Sequence, residues 1–140
     1  MTVVPYKAEH LLALQVQPGQ LGTAGFITPE YARALEDENA FTLLVDGQAL
    51  AVGGVKEIWP GRAFVWSWID RRAGAHFAAV HHAAKQILAA APYRRIEADV
   101  PCGFTAGHRW LRLLGFHLEA ACMMAYQPDG ADCSLYARVK

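Results

Sequence analysis

Short runs of apolar and β-branched residues in the middle of the chain predict three consecutive strands. Phe41 to Val45 and Leu50 to Val55 are separated by Asp46-Gly47, a dipeptide that favours a tight hairpin turn. The turn Trp59-Pro60-Gly61 precedes a third run, Ala63 to Ile69, which is rich in aromatic residues. This region is therefore expected to form a hairpin followed by a third strand.

Four further strands are predicted nearer the two ends of the chain. Thr2 to Tyr6 is typical of a short edge strand. Arg95 to Val100 alternates cleanly between apolar and acidic residues. His117 to Tyr126 and Cys133 to Val139 flank the turn Pro128-Asp129-Gly130, so they are expected to form a final hairpin.

Apolar spacing of three and four residues predicts helices between these strands. Ala8 to Leu14 is a short one, and Thr28-Pro29-Glu30 begins a second that we expect to run to about Glu38. A longer helix is predicted from about residue 76 to 91, and Thr105 is expected to cap the last one. Residues 15 to 27, rich in glycine and glutamine, are expected to be a loose surface loop.

The predicted order is β-α-α-β-β-β-α-β-α-β-β, which indicates an α/β fold with a mixed sheet in a single domain over residues 1–140. The fourth and fifth strands flank a crossover helix and should be parallel. After the last helix, Gly115 occupies a left-handed C-terminal position and Phe116 is placed to pack back on Leu111, which predicts a Schellman ending.

Composition and charge exclude some classes of protein and of binding partner. The 140 residues are 54% hydrophobic and 19% charged, which is typical of a dense core and excludes intrinsic disorder. Thirteen basic residues balance thirteen acidic ones, which argues against nucleic acid or anionic lipid as the partner. No signal peptide or membrane span is visible, so we expect a cytoplasmic protein.

Motifs for metals, nucleotides and nucleophilic catalysis are missing from the sequence. Three cysteines without CxxC spacing, and the adjacent His81 and His82, do not form a metal-ligand pattern, so no metal is expected. The junction between the strand ending at Ile69 and the helix beginning near His76 says more about a possible ligand. A helix N-terminus near His76 offers N–H groups to a phosphate, Gly74 lets a ligand approach the backbone, and Arg71 and Arg72 add positive charge. The alternative is a solvated turn with two surface arginines.

This element order, with Arg71-Arg-Ala-Gly74-Ala-His76 and the ending Leu114-Gly115-Phe116, resembles the GNAT superfamily of acyl-CoA-dependent N-acyltransferases. In that family a loop of the form [Q/R]-x-x-G-x-[G/A] between the fourth strand and the third helix wraps the CoA pyrophosphate with backbone N–H groups. Arg71 and Gly74 match this loop, whereas His76 replaces a small residue.

The resemblance implies acetyl-CoA as co-substrate and a small-molecule or protein amine as acceptor. A backbone N–H of strand four, near Trp68 to Asp70, would bind the thioester carbonyl. The residues implied in acetyl-CoA binding are Trp68, Ile69, Asp70, Arg71, Arg72, Ala73, Gly74, Ala75 and His76.

Removal of a proton from the amine requires a base, and the carboxylates of Glu97 and Asp99 are the candidates because they project to one face of strand five. A neighbouring like charge would raise the pKa of one of them. The alternative is that both are solvated carboxylates paired with Arg94 or Arg95.

Arg109-Trp110-Leu111 stands before Leu114-Gly115-Phe116, and Trp68-Ile69 ends strand four. This combination resembles, more narrowly, the small GNAT-like proteins of tailed phages. The tyrosine that often protonates the departing thiolate is replaced here by Leu111. Leu111 and His76 favour an alternative function, a catalytically silent GNAT-fold interaction protein or a virion component. Its partner would be a second copy of the chain or a phage particle, and the location the host cytoplasm or the virion.

Overall fold

The computed structural model describes all residues from Met1 to Lys140, in seven strands and five α-helices. The strands are β1 Thr2–Pro5, β2 Ala40–Val45, β3 Gln48–Trp59, β4 Arg62–Ile69, β5 Arg95–Pro101, β6 His117–Met123 and β7 Cys133–Val139. The helices are α1 Ala8–Leu12, α2 Leu21–Ala24, α3 Pro29–Ala34, α4 Phe77–Ala90 and α5 Thr105–Leu113, with 3₁₀ helices at Pro18–Gln20 and Arg71–His76.

The strands form one mixed sheet in the order β1-β2-β3-β4-β5-β7-β6. The predicted α/β class and the predicted strand order along the chain are thus confirmed. No helix combines the length and the apolar character needed to span a bilayer.

Internal contacts divide the chain into two compact units. The first comprises Met1–Val55 and Trp66–Ala90, and the second comprises Lys56–Val65 and Ala91–Lys140. Strands β3 and β4 contribute residues to both units. The single domain expected from the chain length stays a prediction.

In the first unit, the hairpin β2–β3 turns as its sequence predicts. Asp46 and Gly47 both have positive φ, 51° and 76°, which is the type I′ geometry that an Asp-Gly dipeptide favours. Strand β1 pairs antiparallel with β2 from Thr2↔Leu44 to Pro5↔Phe41. The core of this unit contains Tyr6, Leu11, Ala32, Ala40 and Val52, and Trp66 and Trp68 pack against it.

Helix α3 begins as predicted and ends earlier than predicted. The Thr28 hydroxyl accepts a hydrogen bond from Tyr31 N (3.1 Å), as expected of an N-cap. The helix stops at Ala34 instead of near Glu38, and Asp37 accepts a bond from Asn39 N (2.7 Å), a local turn that competes with helix. Ala32 takes the core position of this helix, whereas Tyr31 is 36% exposed.

In the second unit, β4 and β5 are parallel, as predicted, with Arg62–Phe64 opposite Arg95–Glu97. Strand β7 pairs antiparallel with both β5 and β6. The β4–β5 register covers these three pairs, while β4 continues to Ile69 and β5 to Pro101.

Helix α5 ends in the predicted Schellman motif. Gly115 has φ of 90°, Phe116 N donates to Leu111 O (3.0 Å) and Gly115 N donates to Arg112 O (3.0 Å), the two bonds that define this ending. The predicted cap at the other end is displaced by one residue, because Phe104 is the N-cap and its side chain makes no capping bond.

Candidate functional site

The junction after β4 is a 3₁₀ helix and not the open loop that the sequence predicted. Arg71–His76 forms this helix, which leads directly into α4 at Phe77. Asp70 is the cap residue, since its carboxylate accepts a bond from Arg72 N (2.8 Å). The N–H groups of Ala73 and Phe77 are bonded within the junction, to the carbonyls of Asp70 and Gly74. Fewer amides are therefore available to a ligand than an open loop would offer.

Arg72 was expected to add free positive charge, but it is bound to Asp70. Its guanidinium donates to Asp70 Oδ1 (2.8 Å) and Oδ2 (3.0 Å) and also to Gln48 Oε1 (2.9 Å). Hydrogen bonds from Arg72 lower the pKa of Asp70, which is 1% exposed, to about 2. This charge pair fixes the junction, so Arg72 is not a free phosphate ligand here.

The remaining junction residues divide into buried and accessible ones. Ala73 is 1% exposed and packs inward, whereas Arg71, Gly74, Ala75 and His76 are exposed. A Cβ built on Gly74 would meet no atom within 4 Å. The Arg71 guanidinium has no hydrogen bond or ion pair, and the backbone N of this residue donates to Gln15 O (2.8 Å). Arg71 and the open surface at Gly74 are thus the parts of the predicted anion site that a ligand can reach.

Two of the backbone N–H groups expected to bind a thioester carbonyl already have partners. Ile69 N donates to the side-chain oxygen of Gln20 (3.0 Å), and Asp70 N donates to Leu50 O (2.8 Å). Trp68 donates through Nε1 to Tyr31 Oη (3.2 Å), and its ring lies edge-on to that tyrosine. The Ile69 and Asp70 amides are therefore not free to bind a thioester carbonyl in this conformation.

The segment that binds the Ile69 amide, residues 15–27, is the one that was predicted to be a loose surface loop. Residues 15–27 contain the 3₁₀ helix Pro18–Gln20 and helix α2, and Val16 forms an antiparallel bridge with Asp70. Sequence reasoning missed this contact. The signal lay in the three glutamines at 15, 17 and 20, which in a surface loop are donors and acceptors with no assigned partner.

Of the two candidate bases, Glu97 is held in ion pairs. Its carboxylate accepts bonds from Arg62 Nε (2.5 Å) and Nη2 (3.0 Å) and from Arg95 Nε (2.7 Å). The hydrogen bonds from Arg62, more than those from Arg95, lower the pKa of Glu97 despite its burial. A carboxylate held ionised in this way is a weak proton acceptor, so its geometry favours a structural role.

Asp99 lies in a different electrostatic environment. Burial raises the pKa of its carboxyl, and the Tyr126 hydroxyl, its hydrogen-bond donor, opposes the shift. Burial also raises the pKa of Tyr126. The predicted effect of a neighbouring carboxylate is absent, since desolvation alone raises the Asp99 pKa. The raised pKa of Asp99 suits a proton acceptor better than the lowered pKa of Glu97 does.

Leu111, at the position of the family's tyrosine acid, is part of the core of the second unit. It is 9% exposed, and its carbonyl accepts the Schellman bond from Phe116. The side chain carries no proton to donate, so a leaving thiolate would have to be protonated by solvent or by another group. No group of three or more His, Cys, Asp and Glu side chains is arranged to hold a metal ion.

Solved structures with the same fold are acetyltransferases. Ard1 from Thermoplasma volcanium superposes with a TM-score of 0.81 at 14% identity, covering 99% of this chain and 96% of that one. A GNAT-family acetyltransferase from Bacillus anthracis gives a TM-score of 0.67 at 15% identity, covering 98% and 93%.

A third structure is that of RimL, a ribosomal L7/L12 α-N-protein acetyltransferase in complex with coenzyme A. It gives a TM-score of 0.68 at 17% identity and covers 98% of this chain and 92% of that one. The sequence matches no protein-family model and no curated protein. The chain thus has the GNAT fold, as its sequence patterns predicted.

Proposed function

We propose that this chain is a GNAT-type N-acetyltransferase that moves an acetyl group from acetyl-CoA to an amine. The support is the shared fold, together with coenzyme A in one of the solved structures that share it. The observation that carries the proposal is the accessible strand–helix junction, where the unpaired Arg71 stands beside the open backbone at Gly74. An arginine and an unobstructed backbone next to a helix N-terminus suit a pyrophosphate.

The residues of the junction fit the anionic part of acetyl-CoA only in part. Arg71 would pair with the pyrophosphate, and Gly74 would let it approach the backbone. Arg72 and Ala73 would hold the junction in shape from beneath, through the Asp70 carboxylate and through packing. Acetyl-CoA itself supplies the activated thioester.

We further propose Asp99 as the proton acceptor for the attacking amine. An amine attacks only in its neutral form, and a carboxylate with a raised pKa is better matched to this task than an ordinary one. The ion pairs of Glu97 support a structural role for that residue. Its place among the base candidates stays a prediction, which the comparison of variants at both positions will test.

A second candidate function is supported by Leu111 and His76. An interaction protein with the GNAT fold, of phage or other origin, needs neither a thiolate acid nor a small residue at position 76. Its surface would bind a second copy of the chain or a virion component, and it would gain nothing from acetyl-CoA.

Thermal unfolding with and without acetyl-CoA distinguishes the two functions. A ligand at 100 times its Kd stabilises the folded state by about 2.7 kcal/mol, which is several degrees for a domain of this size. Gly74→Glu should abolish the shift, because the added carboxylate faces the expected pyrophosphate. Gly103→Glu is the matched control, since a Cβ at Gly103 also meets no atom within 4 Å. No shift in the unmodified protein would favour the interaction protein.

A further inference from the structure

Beyond its three pairs with β5, the end of β4 is bonded to the chain's own segment from Gln15 to Gln20. Arg71 N donates to Gln15 O (2.8 Å), and Gln17 N donates to Ile69 O (2.8 Å). Between them Val16 bridges Asp70 in antiparallel sense. The backbone of this segment therefore satisfies polar groups at the end of β4 that would otherwise be open to water or to a ligand.

The Gln20 side chain continues this coverage toward Ser67. Its Nε2 donates to Ser67 O (2.8 Å), and its Oε1 accepts from Ile69 N (3.0 Å). A residue on a parallel strand opposite position 68 would form the same two bonds with its own N–H and carbonyl. Gln17 Nε2 donates to the same Oε1 (3.1 Å) and holds the carboxamide in place. The Gln20 carboxamide thus takes the place of the backbone amide of a strand that would pair with β4.

We propose that Gln20 is a latch that must release Ile69 before an acyl thioester can bind. This inference rests on the proposed function, in which a β4 amide near Trp68 to Asp70 binds the thioester carbonyl. Asp70 N remains bonded to Leu50 O, so Ile69 N is the donor that a rotation of one side chain makes available. Ligand binding and the Gln20 contact are mutually exclusive, and the affinity for acetyl-CoA includes the free energy of opening the latch.

The segment that carries Gln20 is weakly packed, which allows it to open. Neither the 3₁₀ helix Pro18–Gln20 nor α2 contains a buried residue. Gly19 and Gly22 flank the latch residue in the sequence. Segments with few buried apolar contacts open at low free energy, so Gln20 can leave β4 without disturbing the core of its unit.

The test is titration of acetyl-CoA into four proteins: the unmodified chain, Gln20→Met, Gln20→Ala and Gln15→Ala. Methionine keeps the length of glutamine and removes both bonds to β4. We expect the Kd of Gln20→Met and Gln20→Ala to fall about tenfold, since two hydrogen bonds no longer compete with the ligand. Gln15→Ala is the control, because Gln15 bonds to Asp70 and Arg71 through its backbone and its side chain forms no hydrogen bond. Its Kd should not change.

Hydrogen exchange of the Ile69 amide, measured first without ligand, gives a second readout. The amide should exchange faster in Gln20→Met than in the unmodified protein, and acetyl-CoA should restore its protection. If acetyl-CoA binds the unmodified protein and both Gln20 variants equally, or binds the variants less tightly, the latch is wrong and the proposed function stands. If acetyl-CoA binds none of the four proteins, the proposed function is wrong, and the latch as a control of acyl-CoA access is overturned with it.

Discussion

Arg72 binds the buried carboxylate of Asp70 through three hydrogen bonds, one from its backbone N–H and two from its guanidinium. Gln15 N donates to the same carboxylate (2.9 Å). Asp70, the last residue before the strand–helix junction, is therefore held both by the junction itself and by the segment that contains Gln15. The accessible Arg71 and Gly74 owe their position to this buried pair.

Removing Arg72 should destabilise the fold. Arg72→Ala leaves the Asp70 carboxylate buried with two backbone donors and no cation, so we expect a loss of about 1–2 kcal/mol in the free energy of unfolding. Part of the pair's value is screened, because the Arg72 side chain is 46% exposed. Urea unfolding at neutral pH measures the loss. Arg71→Ala is the control and should stay within about 0.5 kcal/mol of the unmodified protein.

The same pair predicts how stability changes with pH. The pKa of Asp70 is lowered from 3.8 to about 2 in the folded chain. Folding therefore gains stability from this group above pH 4 and loses it as the pH falls toward 2. The difference in unfolding free energy between the unmodified protein and Asp70→Asn should shrink over that range. A difference that stays constant from pH 6 to pH 2 would show that the Asp70 pKa is not lowered.

Gly107 in α5 is a position where a single methyl group should destabilise the second unit. A Cβ there would lie 2.6 Å from Val100 Cγ2 and 2.7 Å from Phe104 Cδ2. Gly107→Ala should cost about 1–3 kcal/mol through overpacking, despite alanine's better helix propensity. Gly25→Ala, where a Cβ meets nothing within 4 Å, is the control and should not destabilise. Thermal unfolding of both variants measures the contrast.

Substitutions at Glu97 and Asp99 should affect different quantities, stability at Glu97 and kcat at Asp99. Asp99→Asn removes the proposed proton acceptor, so kcat should fall by about 10²-fold or more while the Kd of acetyl-CoA is unchanged. Glu97→Gln breaks a buried ion pair and should cost about 1–3 kcal/mol of stability with a smaller effect on kcat. Steady-state kinetics with an amine acceptor and urea unfolding measure the two effects. A larger kcat loss for Glu97→Gln would return the base assignment to Glu97.

Much of the fold could be predicted because its signals are local. The Asp46-Gly47 turn, the Thr28 cap and the Leu111–Phe116 ending each depend on residues within five positions, and each lies where the sequence placed it. Helix ends were less predictable, as at α3, where the Asp37–Asn39 turn replaced the last expected turn of helix.

The site depended on contacts that sequence spacing does not encode. Gln20 binds Ser67 and Ile69 from 47 and 49 positions away. The residues of β4 therefore give no local signal that predicts these two bonds. The two arginines of the junction, Arg71 and Arg72, were equivalent in the sequence. Tertiary contacts distinguish them, because Arg72 binds Asp70 and Arg71 stays unpaired.

Titration of the ¹⁵N-labelled protein with acetyl-CoA, followed through backbone amide shifts, tests the central claim most directly. If the junction after β4 holds the pyrophosphate, the largest saturable shifts will come from the amides of residues 71–76, with Gly74 among them, and from Ile69 as Gln20 releases it. Acetyl-CoA that leaves these amides unmoved, or that shifts only amides elsewhere in the chain, contradicts the account.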